Sequence, residues 1–388
     1  MVLNAKGYYN VDDMYLEKFY PLWSAAAGTI ERGASFSSMQ RISGLLGILC
    51  FASDLMQRPE WRVRTWRAIG LAGVSVTLFG LVERIADAPM IFWEASRIDS
   101  TFFGTYFYRG NAGAFINLVL PLIFGLALVA LHEREAHGQK SLWIPAVLVC
   151  VAGAFVNTAR SAQIVTAIIV IVLVSWCFKS LAKTRQNFLG RRHILYAGIF
   201  LIALVVVAEI GWTSVGPRWS RISEEIGTLN GRTFAMGVCY KMIPDAGLMG
   251  FGPGTFEIGF PFYITPEQIA HVEVARMHWR YAHEDYLQTL IEWGWVGFAA
   301  WAVLFCGGVV TALYTINYRR LVLSSSDHVL LFTCVTALVG IAIHALVDFP
   351  LQIASLQLYT AVFLGTCWGS RNWSAGQAPR EPRGVRNP

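Results

Sequence analysis

The feature that most constrains this chain is a series of apolar runs, each near the length that crosses a lipid bilayer and separated from the next by short basic segments. A helix needs about 20 apolar residues to cross the hydrocarbon core. Such runs fall at 42–56, 68–86, 110–131, 142–157, 161–178, 194–212, 294–316, 328–348 and 351–369, those at 42–56 and 142–157 being the shortest. Backbone polar groups in lipid must be satisfied within the segment, so these runs are expected to be helices. The expected fold class is all-α, a polytopic transmembrane bundle of about nine spans.

Composition agrees. The 388 residues are 55% hydrophobic and 14% charged, against about 25% charged in soluble domains. The net charge of +6 implies no nucleic-acid partner, because the basic residues fall between the runs. Segment 57–67 carries Arg58, Arg62, Arg64 and Arg67, segment 179–193 carries Lys179, Lys183, Arg185, Arg191 and Arg192, and segment 317–326 carries Arg319 and Arg320. With Arg134, Lys140 and the tail residues Arg371, Arg380, Arg383 and Arg386, they share one side of the expected arrangement. The positive-inside rule makes that side cytoplasmic. Residues 1–37 then form an extracytoplasmic segment, 38–212 six spans, 213–293 an extracytoplasmic catalytic loop, 294–370 three spans, and 371–388 a disordered cytoplasmic tail. An external 1–37 segment needs a span before it, so further spans are expected upstream of residue 1. The seven cysteines form no CxxC pair, which suggests neither a disulfide framework nor a zinc site.

Polar residues gather at the outer ends of the spans: Arg109 and Asn111, then Asn157, Arg160 and Ser161, then Glu209, then His344 and Asp348. Ionisable groups at membrane depth are costly and often functional. A transporter would place them nearer the midplane, in broken helices of repeated halves, so this distribution favours a site at the interface. Structural readings exist for each. Arg109 and Arg160 can snorkel to headgroup phosphates, His344 can be a packing residue, and Glu209 and Asp348 can be charge partners of the arginines.

Two constellations stand out in the large loop. Gly231-Arg232-Thr233 opens a stretch, 232–243, expected to form a helix that stops before Pro244, with Arg232 in its first turn. Gly250, Gly252 and Gly254 follow as a turn that permits close backbone approach. The second constellation is 283–294. In helical spacing His283, Leu287 and Leu290 share one face, and Glu284, Gln288 and Glu292 another, with the helix ending at Gly294. The carboxylate pairs Glu224-Glu225 and Glu284-Asp285 are adjacent, and helix neighbours do not face one another. They suggest no metal site, and no cofactor is expected.

Taken in order, Arg109-Gly110-Asn111-Ala112-Gly113-Ala114-Phe115, Thr158-Ala159-Arg160-Ser161, Gly231-Arg232, residues 244–256 and residues 283–294 resemble the signatures of the O-antigen ligase and O-antigen polymerase (Wzy-type) superfamily. The resemblance implies a C-type glycosyltransferase-like architecture at the outer face of a bacterial inner membrane. It implies metal-independent, inverting transfer from a polyprenyl diphosphate-linked glycan to a lipid A-core, glycan-chain or protein acceptor. It also implies diphosphate-binding roles for Arg160 and Arg232 and a catalytic role for His283. The chemistry fits: arginine stays charged and grips phosphate oxygens bidentately, and an imidazole suits a general base near neutral pH. Second-line candidates are Arg109, Arg276, Arg280, His278 and His344, with Trp279 and Tyr281 available to pack on sugar or lipid. The competing readings are a transporter or flippase of lipid-linked glycan intermediates and a non-catalytic membrane scaffold.

Overall fold

The computed structural model describes residues 7–10, 15–18, 26–93, 102–132, 137–183, 229–272, 275, 277–319 and 323–373. Among these residues the chain forms eleven α-helices: α1 (Arg32–Leu55), α2 (Pro59–Ile85), α3 (Arg109–His132), α4 (His137–Val156), α5 (Arg160–Lys183), α6 (Leu229–Ala246), α7 (Phe256–Gly259), α8 (Pro266–His271), α9 (Asp285–Tyr318), α10 (Ser325–His344) and α11 (Ala354–Gly369). One exception to the all-α expectation is an antiparallel hairpin, β1 (Gly7–Asn10) with β2 (Tyr15–Lys18).

Among the described residues five helices are long and apolar enough to cross a membrane: Pro59–Ile85, Arg109–Leu131, Arg160–Cys177, Asp285–Tyr318 and Ser325–His344; Leu142–Val156 is a shorter apolar helix. The expected runs at 42–56 and 351–369 coincide with α1 and α11, which do not reach that standard. Helix α11 has 16 residues, and α1 starts at Arg32, inside the segment expected to precede the spans, and carries Arg41 and Asp54. The run 194–212 lies outside the described residues.

Two other expectations are corrected. The basic segment 57–67 is not a loop. Pro59 sits at the start of α2, where its fixed φ suits the first helical turn and its missing N–H costs nothing, so Arg62, Arg64 and Arg67 are helical. Helix α6 does not stop before Pro244 but runs to Ala246. So close to the C-terminal end, the proline deprives only the last turn of a hydrogen bond.

Helix α3 is the hub. Four-fifths of its apolar window (78%) is buried, and it packs on α2, α4, α5 and α10. Its buried Asn117 is satisfied: it donates to the Ala162 carbonyl (2.9 Å) and accepts from the Thr166 hydroxyl (2.6 Å) on α5. Helices α1 and α11 cross closely because Gly365 and Gly369 lie against backbone. A Cβ at either would stand 2.3 Å from a carbonyl oxygen, of Leu49 or of Ser53, which is how small residues bring membrane helices together. At one end of the bundle Arg62 is 1% exposed. It holds Asp327 through Nε (2.9 Å) and Nη2 (3.0 Å) and lies 4.2 Å from the Trp373 ring.

At the other end the glycine turn docks into a break in α9. Gly294 takes φ 64°, ψ −175° inside that helix, freeing carbonyls that the turn then uses. Phe251 N donates to Ile291 O (3.0 Å), Gly252 N to Glu292 O (2.9 Å), and Val296 N to Leu248 O (3.1 Å). The buried Glu292 carboxylate accepts from Gly254 N (2.8 Å), Phe256 N (3.3 Å) and the Gln288 amide (3.1 Å). Gly250 has φ +72°, and a Cβ there would lie 2.3 Å from Glu292 O; Gly247 has φ +57°, and the nearest atom to its Cβ would be Pro244 O at 3.9 Å. Both glycines occupy the left-handed region, where a side chain costs about 1–2 kcal/mol. Gly250→Ala is expected to cost about 1–3 kcal/mol more than Gly247→Ala through overpacking. Thermal unfolding of the two variants in detergent checks this, and equal melting temperatures would refute the docking.

Candidate functional site at one end of the bundle

The site forms where α3 and α5 begin, α10 ends, and the chain enters α9. Helix α9 starts at Asp285 because Glu284 caps it, its carboxylate accepting from Tyr286 N (3.3 Å) and Leu287 N (2.5 Å). Burial pushes the Glu284 carboxyl up, against the opposing pull of those two N–H groups. His283 is therefore not on the helix, as its spacing with Leu287 and Leu290 had predicted. It precedes the cap with φ 55°, a conformation uncommon for a non-glycine residue. Its neighbours hold it there. Ala282 N donates to Gln288 Oε1 (3.1 Å), Asp285 N to Ala345 O (3.0 Å), and Leu351 N to Asp285 Oδ2 (2.8 Å).

The hub of the site is Asp348, in the turn after α10 and 1% exposed. Its Oδ1 lies 3.6 Å from His283 Nδ1 and its Oδ2 lies 4.0 Å from Arg232 Nη2. Both distances exceed a hydrogen bond, so these contacts are electrostatic. The Tyr108 hydroxyl donates to Oδ2 (3.2 Å) and accepts from Arg232 Nη2 (3.4 Å), while Arg232 Nη1 donates to Val347 O (2.9 Å). Burial alone would raise the Asp348 carboxyl, but His283, Arg232 and His344 outweigh it and hold the group below the usual carboxylate range. Burial, then the Asp348 charge, pushes the Tyr108 phenol up to about 12, so it remains a donor at neutral pH. The imidazole is 26% exposed and the guanidinium 37%. The carboxylate is dry while the two cationic-type groups reach outward. His283 Nε2 makes no hydrogen bond with the described residues.

Aromatic rings wall this cluster. Phe349 lies between Tyr281 (4.3 Å, 13°) and Tyr108 (5.3 Å, 13°) and meets the His283 ring edge-on at 4.8 Å; Trp279 meets that ring at 5.9 Å. Gly110 makes room for the carboxylate, since a Cβ there would stand 2.4 Å from Asp348 Oδ2.

The other sequence candidates are placed as follows. Arg160 opens α5, and the next residue, Ser161, shares a 3.3 Å hydrogen bond with His344 Nε2. His344 is fully buried and stands one turn before Asp348, whose N–H donates to its carbonyl (3.1 Å). Arg109 follows Tyr108 and opens α3, its carbonyl accepting from the Asn157 amide (2.8 Å). His278 and Arg280 meet on Glu257, at 2.6 Å and 3.7 Å, on an exposed surface rather than on Asp348. Arg276 lies outside the described residues. Tyr108 was not singled out by sequence. Its signal is weak, an aromatic just before the Arg109-Gly110-Asn111 motif.

The fold and site define a multi-pass helical membrane protein with a His–Asp–Arg cluster at one end of the bundle. Residues 145–302 match the family model described as O-Antigen ligase, which supports membership of the O-antigen ligase/polymerase family. That family points to ligase- or polymerase-type glycosyl transfer at the membrane, with lipid-linked glycan substrates and a glycan acceptor. No curated protein matches the chain. The matched stretch contains Arg160, Arg232 and His283, whereas Tyr108, Arg109, His344 and Asp348 are brought to it by the fold.

The Asp348 environment sets a pH dependence. A carboxyl lowered in the folded state contributes stability that is complete above its unfolded value, about 3.9, and disappears as pH falls through the lower folded value. The stability gap between the native chain and Asp348→Asn is therefore expected to be constant from pH 7 down to about 4 and to close below it. Melting curves of both across that range test this; a gap that closes near pH 6 would contradict it.

Proposed function

We propose that the chain transfers a glycan from a polyprenyl diphosphate donor to an acceptor hydroxyl at the outer face of a bacterial inner membrane, without a metal and with inversion. The acceptor is a lipid A-core, a glycan chain or a protein. The observation that carries this reading is the convergence of Arg232 and His283, both within the O-antigen ligase match, on one buried carboxylate. The acceptor oxygen attacks the anomeric carbon, the bond from that carbon to the diphosphate oxygen breaks, and the diphosphate departs with the electron pair. Arg232 and Arg160 bind the diphosphate and offset its growing charge, as preorganised cations in a partly dry site do. His283 Nε2 takes the acceptor proton, and Asp348 beside Nδ1 stabilises the imidazolium that results.

The side of the membrane is supported by charge. The end of the bundle opposite the site carries Arg58, Arg64, Arg67, Arg319 and Arg371, which the positive-inside rule assigns to the cytoplasm. The flippase reading gains nothing from the family match.

In a transfer assay with purified protein and a lipid-linked glycan, His283→Ala is expected to lose about 10²–10⁴-fold in rate and Arg232→Ala about 10²–10³-fold. Full activity of both variants would overturn the assigned roles.

A further inference from the structure

Beside the His283–Asp348 cluster the bundle forms a partly open cavity of about 330 Å³ between α1, α9 and α11. The wall between the two consists of the start of α9 and the 350–352 turn: Asp285 and Leu351 line the cavity, whereas Tyr108, Arg160, Arg232, His283 and Asp348 do not. Its far part is apolar, formed by Leu45, Leu364 and the edge-to-face pair Trp293 and Trp301, 5.7 Å between centroids. Its near part is polar in a specific way. Arg41 lines it and makes no ion pair with the described residues, its charge being felt only at a distance by Glu292. Asp285 is 1% exposed; the Gln352 side chain supports its carboxylate, and its Oδ1 is buried without a hydrogen-bond partner of its own. Gln357 donates to Leu351 O (2.6 Å), and its own Oε1 is likewise buried without a partner.

Buried polar atoms are ordinarily hydrogen-bonded, and leaving an acceptor bare is costly. Two orphan acceptors at the polar end of an otherwise greasy cavity call for a ligand with hydroxyl donors on its head. A guanidinium lining the same cavity without an ion-pair partner among the described residues calls for an anion, phosphate above all. The aliphatic and indole far wall calls for an alkyl chain. The volume lies at the small end of ligand pockets, suited to one chain and part of a head rather than to a long polyprenyl tail. We propose that this cavity is a binding site for an anionic, hydroxyl-bearing phospholipid of the phosphatidylglycerol type, its phosphate on Arg41, its glycerol hydroxyls toward Asp285 and Gln357, and one acyl chain between α1, α9 and α11. The site is separate from the proposed diphosphate site and stands whether or not glycan transfer takes place.

Native mass spectrometry of the full chain in detergent, with dioleoyl phosphatidylglycerol or dioleoyl phosphatidylcholine added, tests it. Phosphatidylglycerol is expected to be retained about tenfold better, a charge-assisted contact being worth at least that factor. Arg41→Gln is expected to abolish the preference. Ala302→Trp, which fills the cavity from α9, is expected to lower retention of both lipids, with melting temperature confirming that the variant is folded. Arg41 is exposed, so its variant keeps the test decisive if Ala302→Trp does not fold. Equal retention of the two lipids, or an unchanged preference in Arg41→Gln, would overturn the proposal. Displacement of bound phosphatidylglycerol by an equimolar polyprenyl phosphate would also overturn it, by making the cavity the tail channel of the donor. Loss of transfer activity in Arg232→Ala with lipid retention intact would leave both sites standing, and retention lost in that variant would show that they are not separate.

Discussion

A carboxylate buried at the end of a helical bundle has to be compensated, and at Asp348 that requirement organises the site. The group is 1% exposed, so its charge cannot be left to water. His283 and Arg232 supply opposite charge and Tyr108 a hydrogen bond. Each partner comes from a different part of the chain: the entry to α9, the first turn of α6, and the residue before α3. One side chain thereby fixes where an imidazole and a guanidinium stand relative to each other, which is what a preorganised site needs before any substrate arrives.

The rigidity of that arrangement has a backbone counterpart. His283 takes a left-handed conformation, and such conformations persist only where the surroundings over-determine them. Here the Glu284 cap, the Ala282 N–H on Gln288 and the Asp285 N–H on Ala345 do so. Further along α9, the break at Gly294 receives the glycine turn, so that the helix the histidine leads into is also clamped by the segment that follows α6, the helix bearing Arg232. Histidine and arginine are thus tied together by backbone as well as by charge.

The two ends of the bundle solve different problems. At one end Arg62 is buried in a pair with Asp327 under Trp373, an arrangement that joins α2, α10 and the end of α11 and leaves no group free for chemistry. At the other, His283 and Arg232 remain partly exposed around their carboxylate, and the neighbouring cavity keeps two acceptors and a guanidinium unsatisfied. Unfinished polar accounts at a membrane-embedded end mark places where a ligand completes the structure.

The sequence by itself determined the helical class, the placement of five spans among the described residues, the break at Gly294, the glycine turn, and the place of Arg232 in the first turn of its helix. These are local matters: apolar run length, glycine at positive φ, and an arginine in a first helical turn act within a few residues. The sequence misplaced the start of α2, the end of α6 and the position of His283. At α2 and His283 a proline and a cap outweighed the expected pattern, whereas at the end of α6 the helix ran two residues past the proline expected to stop it. Only the tertiary structure decided that Asp348 is the hub, that Tyr108 joins it, and that His278 and Arg280 meet on Glu257 instead. Asp348 and His283 stand 65 positions apart (348 minus 283), and nothing in a linear pattern states which buried carboxylate a distant imidazole will answer. That choice is made by packing, because a buried charge takes whichever partners the assembled helices bring within reach.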